Sequence, residues 1–145
     1  MQMLADNIKP MNDTYNGYMP YYGEMNTEHS QEPNKATEYV LDSLKIHYLK
    51  KLIEECRSSG TKLIFALSPC YTTSAYKYFE FAIKIAKDYD VPLIDHFCDT
   101  TFTKHPEYFY DHVHMNDTGA RLYSSLFSSE LKKILYECFN NNCKE

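Results

Sequence analysis

The sequence predicts an α/β fold in which helices cover a parallel sheet. After residue 37 the apolar periodicity alternates between helix-like and strand-like segments, and both strand-like segments are short, nearly continuous apolar runs. Such runs suit parallel strands that are covered on both faces. A doubly wound sheet normally has about five strands. The two strands found here therefore predict the C-terminal half of such a sheet, with the other strands supplied by residues 1–36, by a partner chain or by sequence outside these 145 residues.

Residues 1–36 are interpreted as an irregular N-terminal arm, and residues 37–145 as the partial α/β domain. The arm is rich in Asn, Met, Tyr and Pro and has no sustained period. Its tyrosines could form a surface that stacks on a ligand, but we favour packing of their rings on the core. The tyrosines in question surround Gly17 and Pro20 and are Tyr15, Tyr18, Tyr21 and Tyr22.

The first half of the domain predicts a helix followed by a strand. Apolar residues recur at three- and four-residue steps from Thr37 to about Arg57, which indicates an amphipathic helix. Gly60 favours its end, and the run KLIFAL at residues 62–67 predicts a buried strand that Ser68 and Pro69 terminate. The inward residues of this helix are predicted to be Val40, Leu41, Leu44, Tyr48, Leu52, Ile53 and Cys56.

The second half repeats this order and ends in a long helix. A helix is predicted over residues 74–89, a strand over 91–94, a loop over 95–115 and a helix over 117–139. Asn116 or Asp117 is the expected N-cap of the last helix. Asp95, which closes the second strand, is expected to hydrogen-bond a neighbouring loop.

Composition and charge limit the classes of function. A net charge of -5 without a run of Lys or Arg gives no electrostatic signature of nucleic-acid or membrane binding. No window has the length of a transmembrane helix, and the N-terminus does not resemble a secretory signal. Taken literally the chain is expected in the cytoplasm, and an exported protein is the alternative if the true start lies upstream.

The five cysteines are interpreted as free thiols. They form no CxxC pair, and an odd number cannot close into a complete disulfide framework. Most are expected to be small core residues. They are Cys56, Cys70, Cys98, Cys138 and Cys143.

The final loop carries the residues best suited to chemistry. From Phe109 to Ser124, across the end of the loop and the start of the last helix, the chain reads FYDHVHMNDTGARLYS, which places a carboxylate and two imidazoles before a helix. A carboxylate three residues from a histidine can hold its tautomer and stabilise the imidazolium that forms when it takes a proton. Because this spacing is common by chance, its sequence context has to support the assignment.

That context resembles the last sequence block of the SGNH/GDSL hydrolase family. The block here reads Asp111-x-x-His114-Met-Asn-x-x-Gly119-Ala120 and leads into an amphipathic helix. The segments KLIFALSP and VPLID resemble the last two strands of that family. The resemblance covers roughly residues 37–138.

The resemblance implies a three-layer α/β/α, flavodoxin-like domain that hydrolyses acyl or acetyl esters, including those on carbohydrate, without a cofactor. His114 is then the general base and Asp111 orients it. The family's nucleophilic serine lies in a Gly-Asp-Ser block, and a Gly and an Asn complete its oxyanion hole. This chain shows none of these blocks, so the serine of the triad is expected outside it.

Two alternatives stand beside the hydrolase interpretation. The half-fold could be a non-catalytic remnant or binding module that forms a homodimer or docks on a partner chain that completes the sheet. Alternatively, the loop could bind a metal ion through imidazole and carboxylate ligands. The candidate ligands are His105, Asp111, His112 and His114.

Substitute nucleophiles within the chain are weak candidates. Ser68 lies at the carboxyl end of a predicted strand, but a serine before proline more often terminates a strand. Cys70 is no better placed. Asp111 and His114 could also be an ordinary turn cap and an ordinary histidine, an interpretation that the family resemblance disfavours.

Overall fold

A computed structural model of the protein describes residues 18–26 and 42–141, with side chains as far as residue 136. Helices and short parallel strands alternate along the second range, which confirms the coarse α/β class. The expected domain boundary near residue 36 lies outside the described residues. No helix within the described ranges is long and apolar enough to cross a membrane.

Helix α1 spans Ser43–Ser58 and begins where Asp42 caps it. One Asp42 carboxylate oxygen accepts the amides of Leu44 and Lys45, which satisfies two N–H groups that have no partner within the helix. Gly60 adopts a positive φ of 70° just past its end, where glycine is favoured. The predicted helix is confirmed at this end, and its predicted first turn lies outside the described residues.

Strands β1 (Phe65–Leu67) and β2 (Leu93–Asp95) pair in parallel, with Ala66 opposite Ile94. Both strands were predicted, but each starts later than its apolar run. The ladder begins with the bond from Phe65 N to Pro92 O. Proline has no N–H to donate to the preceding carbonyl of the neighbouring strand, so pairing does not extend toward Lys62.

The segment between the strands is helical in two parts rather than one. A 3-10 helix covers Thr73–Tyr78, and helix α2 covers Glu80–Asp88. The prediction of one helix over residues 74–89 is therefore correct in type for its second part only. Ile85 and Ala86 of α2 pack with Ile53 of α1 and with Val91, and these four residues form the centre of the first core cluster.

The predicted loop after β2 contains short helices. Helix α3 spans Thr100–Thr103, capped by Asp99, and a 3-10 helix spans Pro106–Tyr108. Helix α4 then spans Asp117–Asn141. The second core cluster, centred on Met25, Phe102 and Phe109, packs here against the start of α4.

One face of α1 departs from the sequence prediction. Leu44, Tyr48 and Leu52 are exposed, whereas Ile53 is buried. The prediction that these three residues face inward is therefore wrong for the described part of the chain. Apolar periodicity identifies a face that suits burial, but what covers that face depends on another element.

The described cysteines are free thiols, but their burial varies. Cys70 is buried, Cys56 is partly exposed and Cys98 is exposed. The expectation of a core position is thus wrong for Cys98. The side chains of Cys138 and Cys143 lie outside the described part of the chain.

Candidate active site

The final loop forms a tight turn that presents residues 111–114. Phe109 and Met115 form an antiparallel bridge, and Tyr110 N donates to His114 O at 2.8 Å. The chain therefore reverses direction between these residues. This reversal brings Asp111 and His114 together although neither lies in a helix or a strand.

Asp111 organises the turn and also contacts the imidazole. Its Oδ1 accepts the amides of Val113 at 2.8 Å and His114 at 2.7 Å, which is an Asx-type turn. Nδ1 of His114 lies 2.8 Å from Oδ2 and 3.0 Å from Oδ1 of the same carboxylate. The structure thus brings together the two residues that the sequence predicted as the catalytic pair.

The chemistry of the pair follows from these contacts. Partial burial acts to raise the pKa of Asp111, but hydrogen bonds from the Val113 amide, the His114 ring and the His114 amide outweigh it and leave the pKa below its usual value. An ionised carboxylate only accepts, so in the neutral imidazole Nδ1 carries the proton and Nε2 is the acceptor. No other described residue hydrogen-bonds Nε2, and the side chains of His114 and Asp111 are 57% and 46% exposed. The imidazole is therefore available to take a proton.

Asn116 joins the turn to helix α4. Its buried side chain donates to the carbonyls of Glu107 at 2.8 Å and Gly23 at 2.9 Å. Its Oδ1 accepts the amide of Gly119 at 3.0 Å, three residues on. Of the two expected N-caps of this helix, Asn116 is the one that makes the capping contact.

A glycine is required at position 119 because the start of α4 packs closely against the 3-10 helix Pro106–Tyr108. A Cβ at this position would lie 2.1 Å from the carbonyl oxygen of Tyr108 and 2.9 Å from its Cβ. Only a residue without a side chain lets the first turn of α4 approach the backbone so closely. The glycine of the sequence block thus has a physical role in supporting the turn.

Residues 18–26 lie against this turn outside any helix or strand. Met25 N donates to Phe109 O at 2.8 Å, and Asp117 N donates to Tyr21 O at 2.8 Å. The irregular arm over residues 1–36 stays a prediction, because only residues 18–26 of it are described. Its tyrosines do not lie on the core, however, because Tyr18, Tyr21 and Tyr22 are exposed. Tyr15 lies outside the described residues.

The structure gives little support to a nucleophile within the described residues. Ser68 is exposed just after β1. Cys70 is buried, and its Sγ donates to the carbonyls of His112 at 3.4 Å and Thr72 at 3.6 Å. Burial raises the pKa of the Cys70 thiol, which keeps it in the protonated, unreactive form.

The four proposed metal ligands do not converge. His105 pairs with Glu107 through Nδ1 and Oε1 at 2.8 Å, and the ring of His112 lies beside Tyr71. Both ring nitrogens of His112 are buried without a hydrogen-bond partner in the described part of the chain. Within residues 18–26 and 42–136, no group of three or more His, Cys, Asp or Glu side chains could hold a metal ion.

A second histidine network was not predicted from the sequence. His96 Nδ1 lies 2.8 Å from Asp99 Oδ2, and its Nε2 lies 2.8 Å from Glu130 Oε2 on α4. The spacing His96-x-x-Asp99 was a visible signal for the first contact, whereas the second joins residues 34 positions apart and has no local signal. Asp95 behaves as expected, since it accepts from the amide of Phe97 and from the Tyr76 hydroxyl.

Comparison of the chain with models of known protein families, with curated proteins and with solved structures found no match.

Proposed function

We propose that this chain carries the acid and base of an ester hydrolase of the SGNH/GDSL type, with His114 as general base and Asp111 as the residue that orients it. The observation that carries the proposal is the contact of His114 Nδ1 with both Asp111 oxygens, at 2.8 and 3.0 Å. The same contact directs the acceptor nitrogen away from the carboxylate.

The proposed fold is the three-layer, flavodoxin-like domain that the family resemblance implies, of which this chain supplies the C-terminal half. Two features support it. The strands β1 and β2 are parallel and adjacent, and the Asp111–His114 turn follows the second of them, as expected for a site near the carboxyl ends of parallel strands. The other strands of that sheet are part of the proposal.

In the proposed reaction, a serine supplied from outside this chain attacks the acyl carbon of an ester. His114 Nε2 takes the serine proton and then gives it to the departing alkoxide, so the alcohol leaves and an acyl-serine remains. Water then attacks that acyl-serine with His114 again as base, which releases the acid and restores the serine. Asp111 holds the ring and stabilises its imidazolium form in both steps.

The experiment is an ester hydrolysis assay on the protein expressed from its complete natural reading frame, after that frame has been inspected for an upstream Gly-Asp-Ser block. We expect the block to be present and p-nitrophenyl acetate to be hydrolysed. His114→Ala should lower kcat/KM about a thousand- to ten-thousandfold, by analogy with other triads.

His105→Ala is the matched control. His105 is also an exposed histidine of the same loop, and it also pairs with a carboxylate at 2.8 Å. Its replacement should leave the rate within about twofold, because a surface pair of this kind contributes little to the structure. Equal rates for His114→Ala and wild type, or a frame that contains no Gly-Asp-Ser block, would overturn the proposal.

Two observations favour the alternative function of a binding or oligomerisation module. The exposed apolar residues Leu44, Tyr48 and Leu52 lie on one face of α1, and among the described residues no third strand pairs with the open edge of β1. Exposed edges and apolar faces favour association. Sedimentation would support this alternative if a dimer of wild type became a monomer in Leu52→Lys, and a monomeric wild type would exclude the homodimer.

A further inference from the structure

Two cysteines follow the two strands at matching positions. In the ladder, Phe65 lies opposite Leu93, and the next two residues of each strand continue this register. The same offset along the chain leads from Cys70 to Cys98. The two cysteines therefore lie in register with each other, in the loops that leave the carboxyl ends of β1 and β2.

A backbone bond shows that the register persists as far as the cysteines. Cys70 N donates to Phe97 O at 3.1 Å, in the same way that Phe65 N donates to Pro92 O at the start of the ladder. With this bond in place, covalent geometry limits the distance between the Cα atoms of Cys70 and Cys98 to about 7 Å, and adjacent strands are usually about 5 Å apart. Disulfides join Cα atoms about 4.4–6.8 Å apart, so the backbone spacing suits one.

The two thiols differ in exposure. Cys98 is exposed, whereas Cys70 is buried beneath the loop. Burial raises the pKa of the Cys70 thiol, and the nearby Cys98 raises it further. Desolvation and then the Asp95 carboxylate raise the pKa of the Cys98 thiol. A small oxidant can therefore reach Cys98 and not Cys70, and both thiols react slowly near neutral pH because the thiolate is the nucleophile.

We propose that Cys70 and Cys98 are a redox-active pair that forms an intrachain disulfide with a low-molecular-weight disulfide, such as oxidised glutathione, as the oxidant. The thiolate of Cys98 attacks one sulfur of that disulfide, so a mixed disulfide forms and one small thiolate leaves. The thiolate of Cys70 then attacks the Cys98 sulfur, and the second small thiolate leaves. The two cysteines lose two electrons and two protons, which the small disulfide gains as it becomes two thiols. This assignment does not rest on the proposed function.

The pair is connected to the turn that carries Asp111 and His114. Cys70 Sγ donates to His112 O at 3.4 Å, and Thr72 N donates to the same carbonyl at 3.1 Å. A sulfur in a disulfide has no hydrogen to donate, so oxidation removes one of these two bonds. Formation of the disulfide therefore changes how the middle of the turn is held.

The test is peptide mapping of the protein expressed from its complete reading frame. The protein is incubated with oxidised glutathione, its remaining thiols are blocked with iodoacetamide, and it is digested with trypsin. Cys70 is the single cysteine of the expected peptide 63–77, and Cys98 is that of peptide 88–104. We expect these two peptides to be disulfide-linked as the main oxidised product, in a monomeric protein, and to separate after treatment with dithiothreitol.

Two further measurements follow from the environment of the pair. Because both thiols are mostly protonated near neutral pH, the linked peptides should form about tenfold faster at pH 8 than at pH 7. The amide nitrogen of Val113 shares a peptide bond with the His112 carbonyl, so its NMR resonance should move on oxidation. In Cys98→Ser the same treatment should leave that resonance unchanged.

Three variants provide the controls. Cys98→Ser and Cys70→Ala should each abolish the linked peptides, and Cys98→Ser changes an exposed residue, so it should keep the thermal unfolding midpoint of wild type within a few degrees. Cys56→Ser is the matched control. Cys56 is a partly exposed cysteine of α1 that lies beside Lys62 and Pro92, before the strands begin, and its replacement should leave the yield of linked peptides within about twofold.

Several results would overturn the proposal. Glutathione attached to Cys98 without any link to Cys70 would make Cys98 a surface thiol that acts alone. A link from Cys98 to another cysteine or to a second chain would exclude the intrachain pair. An unchanged Val113 resonance in fully linked protein would overturn the connection to the turn.

Discussion

Two histidines of this chain pair with carboxylates in nearly the same way, but they differ in how well they suit proton transfer. His114 pairs with a carboxylate three residues before it, and His96 pairs with one three residues after it, both at 2.8 Å. The second nitrogen of His96 is also held, by Glu130 at 2.8 Å, and its side chain is only 13% exposed. The second nitrogen of His114 has no hydrogen-bond partner among the described residues.

The difference separates a structural histidine from a candidate catalytic one. Burial lowers the pKa of His96, but its hydrogen bonds to Glu130 and Asp99 outweigh that effect and raise the pKa above its usual value. Such a ring tends to keep its proton and joins the β2 region to α4. His114 has one nitrogen fixed and one without a hydrogen-bond partner in the described part of the chain, which is the arrangement that proton transfer needs. Spacing alone does not distinguish the two pairs.

The strongest test compares Asp111→Asn with Asp99→Asn. Asp111 accepts the backbone amides of Val113 and His114, and Asp99 accepts the backbone amide of Thr101. Asparagine can keep those bonds. Each change therefore acts mainly on the contact with the imidazole. In the full-frame protein, Asp111→Asn should lower kcat for ester hydrolysis by about a thousand- to ten-thousandfold, because an amide can hold the wrong tautomer.

Asp99→Asn is expected to leave kcat within about twofold, because the His96 network does not contact the candidate base. Equal losses in the two variants would mean that both histidine networks act only through the fold, and the contrast between them would disappear.

The next largest effect is expected at Gly119. Because a Cβ would lie 2.1 Å from Tyr108 O, Gly119→Ala forces either α4 or the 3-10 helix Pro106–Tyr108 to move. We expect a loss of about 1–3 kcal/mol in the free energy of unfolding, measured by urea denaturation. Thr118→Ala, at an exposed neighbouring position, is the control and should cost less than about 0.5 kcal/mol. A Gly119→Ala protein as stable as wild type would contradict the packing seen here.

The sequence predicted the candidate pair because its geometry is local. Asp111 forms its turn with the next three residues, so the motif itself encodes the contact. The alternation of helices and strands was also predictable, because each element has its own apolar period. The element boundaries that the prediction missed have local causes. Pro92 delays the start of the strand pairing, and Asp99 caps a short helix within the predicted loop.

The long-range features were not predictable in the same way. Nothing near Tyr21 indicates that it stacks on Tyr110, and nothing near His96 indicates Glu130. The exposure of Leu52 was missed because a periodic pattern reports which face can be buried and not which element covers it. Such contacts depend on tertiary packing, for which a single sequence contains no local signal.

A smaller effect is expected when each histidine is removed and only stability is measured. His96→Ala leaves Asp99 and Glu130 as two partly buried carboxylates without the cation between them, so we expect a loss of about 1–2 kcal/mol in the free energy of unfolding. His114→Ala removes a mostly exposed pair and should cost less than about 0.5 kcal/mol. Urea denaturation at pH 6 of both variants and wild type gives the comparison. Equal losses would show that His96 has no special structural role.

The smallest expected effect is the pH dependence of the His96 network. Because the folded pKa of His96 is raised, its contribution to stability is fully present below its unfolded value of about 6.5 and is lost as pH rises through the folded value. Burial acts to raise the pKa of Asp99, but bonds from Thr101 and His96 outweigh it and lower the pKa. The contribution of Asp99 is therefore present above about pH 4 and is lost as pH falls through its folded pKa.

The difference in unfolding free energy between wild type and His96→Ala should thus be largest between about pH 4 and 6.5 and should shrink toward pH 9. Urea denaturation at several pH values across this range measures that difference. If the difference grew above pH 7, the coupling would have the opposite sign, and His96 would not act as a protonated link between β2 and α4.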